Sequence, residues 1–430
     1  MKKIYFLIAM VTATVLASCT KEQEDFFDDS SAIRADKAVA ADIQVLTSAT
    51  NGWLMRYFPE AQQSFGGYNV ILRFTPDGKV EASDEFHPDS IYASLYNVNQ
   101  SAGIELVFDT YNEALHGYSD PSSPLEDYVS GNGDGKGLDG EFEFSILKAT
   151  ATEVVLKGKK TGNNVVLTPM KDDKWQEYFE ELEYVEESMY AKKYTLNVGG
   201  QELVAVKSGR TLVIDYEDGG EEKEVIAPYV ITPKGMEFYE PVEILGETIN
   251  GFFHVEEADV FPASNNTAIK LGIIYPTLAE MVTEEWWCLS YSGLGEFGKQ
   301  YWDVLAQVEM MLDEQLYYAI FGMYDGNFGI TFNSGGYWGS LLFNYQIVSD
   351  DEIMLQFRGG NSNDNGAWYV KNAYYGEYFA TPFATATDIR TFKLTADDPN
   401  NPSWILMTDE ADPTNTITLY GSVIQMPLDN

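Results

Sequence analysis

Aromatic rings and side-chain amides are concentrated in one short part of the sequence, between residues 337 and 378. Aromatic faces stack on sugar rings or peptide groups, and neighbouring amides orient a ligand by hydrogen bonds. This combination predicts a surface that binds an oligosaccharide or a peptide; the alternative is that the rings fill the core of a β-structure. The candidate ligand-binding residues are Tyr337, Trp338, Trp368, Tyr369, Tyr374, Tyr375 and Tyr378, with Asn361, Asn363 and Asn365 between them.

The histidines give no metal-binding pattern. His87, His116 and His254 lack the spacing of a zinc peptidase, so we predict no metal and no cofactor. His116 lies in a predicted loop and is a further ligand-binding candidate; the alternative is a histidine bonded to the loop backbone. The segment from Asn132 to Gly137 imitates a calcium loop, but Lys136 occupies a ligand position, so a flexible loop is the preferred interpretation.

Acidic residues dominate the charge of the chain. Its 430 residues include 67 Asp and Glu against 27 Lys and Arg, which gives a net charge of −40. Nucleic-acid binding needs a basic patch, and Lys and Arg do not cluster here, so we exclude it. The acids leave open a surface hydrolase, although glycosidase chemistry needs two carboxylates about 5–10 Å apart in a cleft. We therefore predict no catalytic residue and keep the hydrolase as the alternative function.

The N-terminus has the pattern of a secretory signal. Two lysines precede 13 uncharged residues, too few for the roughly 20 that cross a membrane as a helix. The segment ends in Leu-Ala-Ser-Cys, which resembles a bacterial lipobox and predicts acylation of Cys19. An acidic stretch follows and resembles the export signal of surface lipoproteins, so we expect a lipid anchor in the outer membrane with the protein facing outward. Cys288, in an apolar context, is expected to be a buried thiol.

Hydrophobic spacing predicts a β-dominated α+β protein. Apolar residues at helical spacing precede Asn51-Gly52, and alternation with period two then begins at Tyr68. The recurring strands, one of them expected at Trp368 to Val370, predict antiparallel barrel or sandwich halves with lipocalin-like meanders, each with a helix. The expected organisation is a signal peptide at 1–18, an acidic tether at 19–31, a helix plus β-meander domain at 32–185, and a β-rich domain at 186–430 with a helix around 296–318.

An internal duplication would relate the two halves. The sequence from Phe144 to Lys159 aligns with that from Tyr345 to Arg358, and a Gly-Asn turn follows each, at Gly162 and at Gly360. Coincidence of strand-turn-strand patterns is the alternative. A true repeat predicts that the helix-to-strand order of residues 32–170 recurs at about 296–420.

Several motifs resemble a known family. They are Asn51-Gly52-Trp53, the run from Phe65 to Val70, Ser94-Leu95-Tyr96 with the run from Val107 to Asn112, and Gly140-Glu141-Phe142-Glu143-Phe144. In this order they are similar to the Bacteroides-type lipoproteins of domain of unknown function 4302, over nearly the whole chain and most strongly over residues 40–170. The resemblance implies an accessory role beside TonB-dependent importers and SusD-like lipoproteins (SusC/SusD systems), which take up oligosaccharides or peptides. It implies no catalytic residue.

Overall fold

The computed structural model describes residues 29–125, 129 and 135–429, which form three eight-stranded antiparallel sheets with helices between them. The β-dominated α+β fold predicted from the sequence is confirmed. The predicted signal peptide, Cys19, the tether up to residue 28 and the start of the calcium-like loop at Asn132 lie outside the described residues.

The first sheet is closed and is called the N-terminal barrel. Each strand pairs with the next, and β1 pairs with β8. The alternation that begins at Tyr68 places Tyr68, Val70, Leu72 and Phe74 in the barrel core. The strands are β1 (Trp53–Tyr57), β2 (Tyr68–Phe74), β3 (Lys79–Asp84), β4 (Tyr92–Gln100), β5 (Ile104–Phe108), β6 (Glu143–Thr150), β7 (Glu153–Gly158) and β8 (Asn164–Pro169).

The second sheet, called the middle sheet, also follows chain order and joins its first strand to its last. Its sixth and seventh strands meet only at a bridge between Phe252 and Ala263. Beside that bridge the Asn265 amide covers the strand edge, because its Nδ2 donates to the Thr248 carbonyl at 2.8 Å. The strands are β9 (Lys193–Val198), β10 (Gln201–Ser208), β11 (Thr211–Asp218), β12 (Glu221–Thr232), β13 (Gly235–Ile244), β14 (Glu247–Phe253), β15 (Val260–Pro262) and β16 (Lys270–Ile274).

The third sheet is closed and is called the C-terminal barrel. Trp287, Phe321, Ile330 and Leu341 are paired across four neighbouring strands and point into its core. Its first and last strands close the barrel through a single residue pair, Cys288 with Tyr420. The strands are β17 (Trp286–Cys288), β18 (Leu316–Tyr324), β19 (Asn327–Ser334), β20 (Tyr337–Ser349), β21 (Glu352–Gly360), β22 (Arg390–Ala396), β23 (Trp404–Asp409) and β24 (Thr416–Tyr420).

The helices depart from the sequence-based expectation at three places. Residues 368–370 were expected to form a strand and instead lie in a helix, because Tyr369 and Ala373 are both buried at i, i+4 spacing. The helix at Trp175 was not predicted, and the helix expected around 296–318 ends at Leu312. The helices are α1 (Ser31–Leu46), α2 (Glu113–His116), α3 (Trp175–Ser188), α4 (Leu278–Glu284), α5 (Glu296–Leu312), α6 (Gly366–Asn372) and α7 (Tyr375–Tyr378).

One hydrogen bond recurs where a helix leads into the first strand of each sheet. The Trp53 indole N–H donates to the Leu46 carbonyl at 2.7 Å, and the Trp287 indole N–H donates to the Met281 carbonyl at 3.0 Å. In the middle sheet the Tyr194 hydroxyl donates to the Met189 carbonyl at 2.6 Å. Each bond is accepted by a carbonyl in the last turn of a helix or just after its end, where intrahelical donors run out.

The plan of a helix followed by an eight-stranded antiparallel sheet therefore occurs three times, and two of the three sheets are closed barrels. In both closed barrels a helix precedes the first strand, and a helical insertion separates the fifth strand from the sixth. The alignment proposed from the sequence is wrong in register, because it matches the sixth and seventh strands of the N-terminal barrel with the fourth and fifth strands of the C-terminal barrel. Hairpins of alternating apolar residues look alike wherever they occur in a barrel.

The described chain divides into two compact units. The N-terminal unit ends at Ile274 and contains the N-terminal barrel and the middle sheet, whereas the C-terminal unit begins at Tyr275 and contains the C-terminal barrel.

Candidate ligand-binding site

Strand pairing in the C-terminal barrel aligns two aromatic side chains and one amide in a row across three strands. Tyr318 on β18 is paired with Asn333 on β19, and Asn333 is paired with Trp338 on β20. Residues directly opposite one another in antiparallel strands share a face, so the three side chains lie side by side. The Tyr318 and Trp338 rings meet edge to face, with their centroids 5.6 Å apart. About half of Trp338 is exposed, at 47%.

Helix α6 is fixed beside this row by a close backbone approach. The Asn365 backbone N–H and Nδ2 both donate to the Trp338 carbonyl, at 3.2 and 2.7 Å. A Cβ added to Gly366 would lie 2.1 Å from the Ser340 carbonyl oxygen, so glycine alone permits the contact. Trp368 lies on this anchored helix and is 48% exposed.

We call Tyr318, Asn333, Trp338, Asn365 and Trp368 the aromatic surface. Its two tryptophans are half exposed and are carried by elements whose backbones are bonded to one another. Rings held in this way present their faces with little loss of conformational freedom on binding, and the two amides supply donors and acceptors. The surface therefore has the chemistry of a ligand-binding platform.

The other aromatic candidates are divided between surface and core. Tyr337 and Tyr374 are exposed, and Tyr378 is half-buried. Tyr369 and Tyr375 are buried, and their rings pack against Phe332 in the barrel core, with centroids 5.1 and 4.8 Å away. These two tyrosines close one region of the core while their sequence neighbours are exposed.

A pair of carboxyl groups receives the hydroxyls of these two tyrosines. Tyr369 donates to Glu314 at 2.5 Å, and Tyr375 donates to Glu309. The Ser334 hydroxyl lies 2.8 Å from Glu309 and 2.7 Å from Glu314, so it links the two acids. Burial raises the pKa of Glu309, and the nearby Glu314 carboxylate raises it further.

This carboxyl pair does not favour the hydrolase alternative. Glu309 is only 3% exposed, and the hydroxyls of Tyr375 and Ser334 occupy its two oxygens. A glycosidase pair must face a cleft that admits the substrate. The pair instead attaches α6 and α7, which carry the tyrosines, to α5 and β19.

His116 is held by its own loop in the N-terminal barrel. Its Nδ1 accepts from the Asn112 backbone N–H at 3.1 Å, and its ring stacks on Phe142 with centroids 4.6 Å apart. Burial lowers the pKa of His116, which favours the neutral ring. The exposed Tyr111 ring lies on the other side, 5.4 Å away. The arrangement fits the loop-histidine alternative better than a ligand contact.

Cys288 is buried in the C-terminal barrel, and burial raises the pKa of its thiol. Such a thiol stays protonated and unreactive at neutral pH. Within residues 29–125, 129 and 135–429, no group of three His, Cys, Asp or Glu side chains is placed to hold a metal ion. In the same part of the chain no helix is long and apolar enough to cross a membrane.

A family model decides the classification of the chain. The model described as "Domain of unknown function (DUF4302)" matches residues 23–256, which is just over half of the sequence. The chain belongs to the DUF4302 family. The match covers the N-terminal barrel and the middle sheet through β14, so it ends well before the whole-chain extent that the sequence motifs indicated. The aromatic surface of this DUF4302 protein lies outside the matched residues.

No curated protein matches this DUF4302 chain. Solved structures with a partial likeness include the DNA polymerase sliding clamp from Caulobacter crescentus, at 11% identity and a TM-score of 0.12, over 90% of this chain and 98% of that chain. The sliding clamp from Bacillus subtilis has 9% identity and a TM-score of 0.09, over 91% and 98% of the two chains. Scores this low carry no argument about fold or function.

Proposed function

We propose that this DUF4302 protein is a lipid-anchored protein of the bacterial outer membrane that binds oligosaccharides on its aromatic surface. Its role is to assist nutrient uptake by a TonB-dependent importer with SusC/SusD-like components. The observation that carries the binding proposal is the pair of half-exposed tryptophans, Trp338 and Trp368, on anchored elements of the C-terminal barrel.

The chemistry of the aromatic surface favours sugar over other ligands. A sugar ring has one apolar face that packs on tryptophan, and its hydroxyls act as donors and acceptors at once. The Asn333 and Asn365 amides also offer both functions, which matches hydroxyls better than it matches a charged group. The five side chains of the aromatic surface carry no charge, so nothing there offsets the net charge of −40 for an anion, and the surface favours neutral ligands.

The location rests on the N-terminal sequence and on the resemblance to surface lipoproteins. Cys19 follows Leu16-Ala17-Ser18 at the end of a short apolar segment, where an acyl chain would anchor the mature protein. We expect C19A to release the protein from the membrane fraction while it stays folded. We also expect crosslinking of the wild type in its own outer membrane to capture an importer or a SusD-like lipoprotein. Recovery of neither partner in repeated experiments would count against the uptake role.

The binding proposal is tested with neutral oligosaccharides on a glycan array, followed by calorimetry of the best hit. Because a ring contact contributes about 0.5–1.5 kcal/mol, W338A and W368A should each weaken binding about threefold to tenfold. Trp286 is the matched control, since it is a tryptophan of the same barrel with similar exposure, 44%, on a different strand. If W338A and W368A bind as tightly as W286A, the ligand does not use this surface.

A further inference from the structure

The N-terminal unit contains a cleft formed by two adjoining depressions. The larger encloses about 750 Å³ between β1, the segment after β8, helix α3 and the β12–β13 turn. The smaller encloses about 370 Å³ along β13 and β14. Both are lined by Thr232, Lys234 and Glu237, so they form one continuous feature, which we call the charged cleft. Both volumes lie within the range of small-molecule sites, about 300–1,000 Å³.

An irregular segment of β13 forms one wall of the charged cleft. The register of β13 against β14 shifts between Glu237 and Val242. Within this segment, the Tyr239 hydroxyl accepts from the Asn164 backbone N–H at 2.9 Å, and its ring lies 4.8 Å from the Phe58 ring. Both contacts attach the wall to the N-terminal barrel, so the cleft is formed before any ligand binds.

Basic side chains in the charged cleft are incompletely paired. Arg56 forms an ion pair with Glu237, yet its buried Nε has no hydrogen-bond partner in the described part of the chain. Lys171 and Lys234 are exposed, and neither forms an ion pair with a described residue, although the chain has 67 acidic residues. A chain this acidic has many carboxylates to pair with lysines, and the cleft leaves two lysine charges available to a ligand.

The remaining lining groups fit a polyhydroxylated ligand. Glu177 and Glu181 line the larger depression, and Asn250 and Ser264 line the smaller one, beside the partly exposed Phe253 ring. Carboxylates and amides accept hydrogen bonds from hydroxyls, whereas ammonium groups bind carboxylates by charge-assisted hydrogen bonds. A sugar that carries carboxylates satisfies both sets of groups, because its hydroxyls can donate to the acids and amides while its carboxylates bind the lysines.

We infer that the charged cleft is a second binding site, specific for an acidic, uronate-containing oligosaccharide whose carboxylates contact Lys171 and Lys234. The choice of a saccharide rests on the proposed function, while the charge preference rests on the cleft itself. This site differs from the aromatic surface in ligand charge, and the two can therefore be tested separately.

The test is calorimetric titration of the folded chain with trigalacturonate and with its methyl ester, which has the same ring size and no charge. We expect trigalacturonate to bind and the ester to bind at least about tenfold more weakly. The double variant K171Q/K234Q should lose at least tenfold in affinity for the acid. The control K157Q/K270Q removes two exposed lysines of the same unit with the same change in net charge, and it should bind as the wild type does.

The inference is overturned by equal affinity for acid and ester, or by equal loss in K171Q/K234Q and in K157Q/K270Q. It is also overturned by tighter binding of triglutamate than of trigalacturonate, which would assign the cleft to acidic peptides. Neutral sugars that bind in a Trp338-dependent manner, without any uronate binding, would overturn this inference alone. Uronate binding that depends on Lys171 and Lys234, with W338A and W368A indistinguishable from W286A on neutral sugars, would overturn the aromatic surface alone.

Discussion

The N-terminal and C-terminal barrels share one plan and differ in how the insertion after the fifth strand is used. In the N-terminal barrel this insertion places Tyr118 in the core, where its ring lies 5.0 Å from Tyr57 and 5.6 Å from Tyr68. In the C-terminal barrel the insertion places Tyr369 and Tyr375 in the core in a similar way. Both insertions therefore complete the core with tyrosine.

The hydroxyl groups of these tyrosines differ in their hydrogen-bond partners. The buried Tyr118 hydroxyl has no hydrogen-bond partner among the described residues, whereas Tyr369 and Tyr375 donate to Glu314 and Glu309. Tyr118 packs against the Tyr68 ring, over which lies the Arg210 guanidinium that links the N-terminal barrel to α3. The N-terminal insertion thus supports the ring that Arg210 contacts, whereas the C-terminal insertion carries α6 and its exposed tryptophan. The same fold thus serves assembly in one barrel and presentation of a surface in the other.

The largest expected effect concerns Arg210. Its guanidinium bonds to Glu85 at 2.6 Å, and both side chains are less than 10% exposed. R210M leaves the Glu85 carboxylate buried without its partner, so we expect a loss of about 3–5 kcal/mol in the free energy of unfolding of the N-terminal unit. Denaturant titration measures it. The control K148M breaks the exposed pair with Glu153 and should cost less than about 1 kcal/mol. Equal costs for the two variants would contradict the role of Arg210.

A pair of conservative substitutions tests the contrast between the tyrosines directly. Y375F removes a hydroxyl that is bonded to the buried Glu309, so it should destabilise the C-terminal unit by about 1–3 kcal/mol. Y118F removes a buried hydroxyl with no described partner and should be neutral or stabilising. Both are measured by chemical denaturation. A cost for Y118F as large as that for Y375F would show that Tyr118 has a partner after all.

The smallest effect is a pH dependence that only the C-terminal unit should show through Glu309. Burial raises the pKa of Glu309, so the folded state holds a proton that the unfolded chain releases near pH 4.5. This contribution to stability is complete below that value and is lost as the pH rises through the higher folded pKa. As the pH rises above 4.5, the Tm of the wild type should therefore fall relative to the Tm of E309Q. A difference independent of pH would contradict the raised pKa.

Much of the fold could be predicted from local patterns. Alternation placed Tyr68, Val70, Leu72 and Phe74 correctly in one core, because alternate side chains of a strand share a face. It missed that the other face is buried too, since Asn69 and Ile71 are fully buried. The strand prediction for residues 368–370 was wrong. Aromatic and β-branched residues favour strands locally, but the close backbone approach of Gly366 to β20 favours a helix here. The predicted register of the repeat was wrong because the sequence of a short hairpin does not show which strands of a barrel it forms.

The candidate sites were less predictable, because exposure depends on tertiary contacts. Trp368 and Tyr369 are neighbours of similar chemistry, yet one is half exposed and the other bonds to Glu314 in the core. Tyr318 was not among the candidates, since only the strand register brings it to Trp338. The charged cleft draws its lining from five separate segments, and no sequence signal joins them.

Hydrogen exchange with a bound neutral oligosaccharide tests directly whether the aromatic surface binds sugar. We expect slower exchange of backbone amides around Asn333 to Ser340 and around Asn365 to Tyr369, with no change along β13 and β14. Protection confined to β13 and β14, or no protection around Trp338, would show that the neutral ligand binds elsewhere.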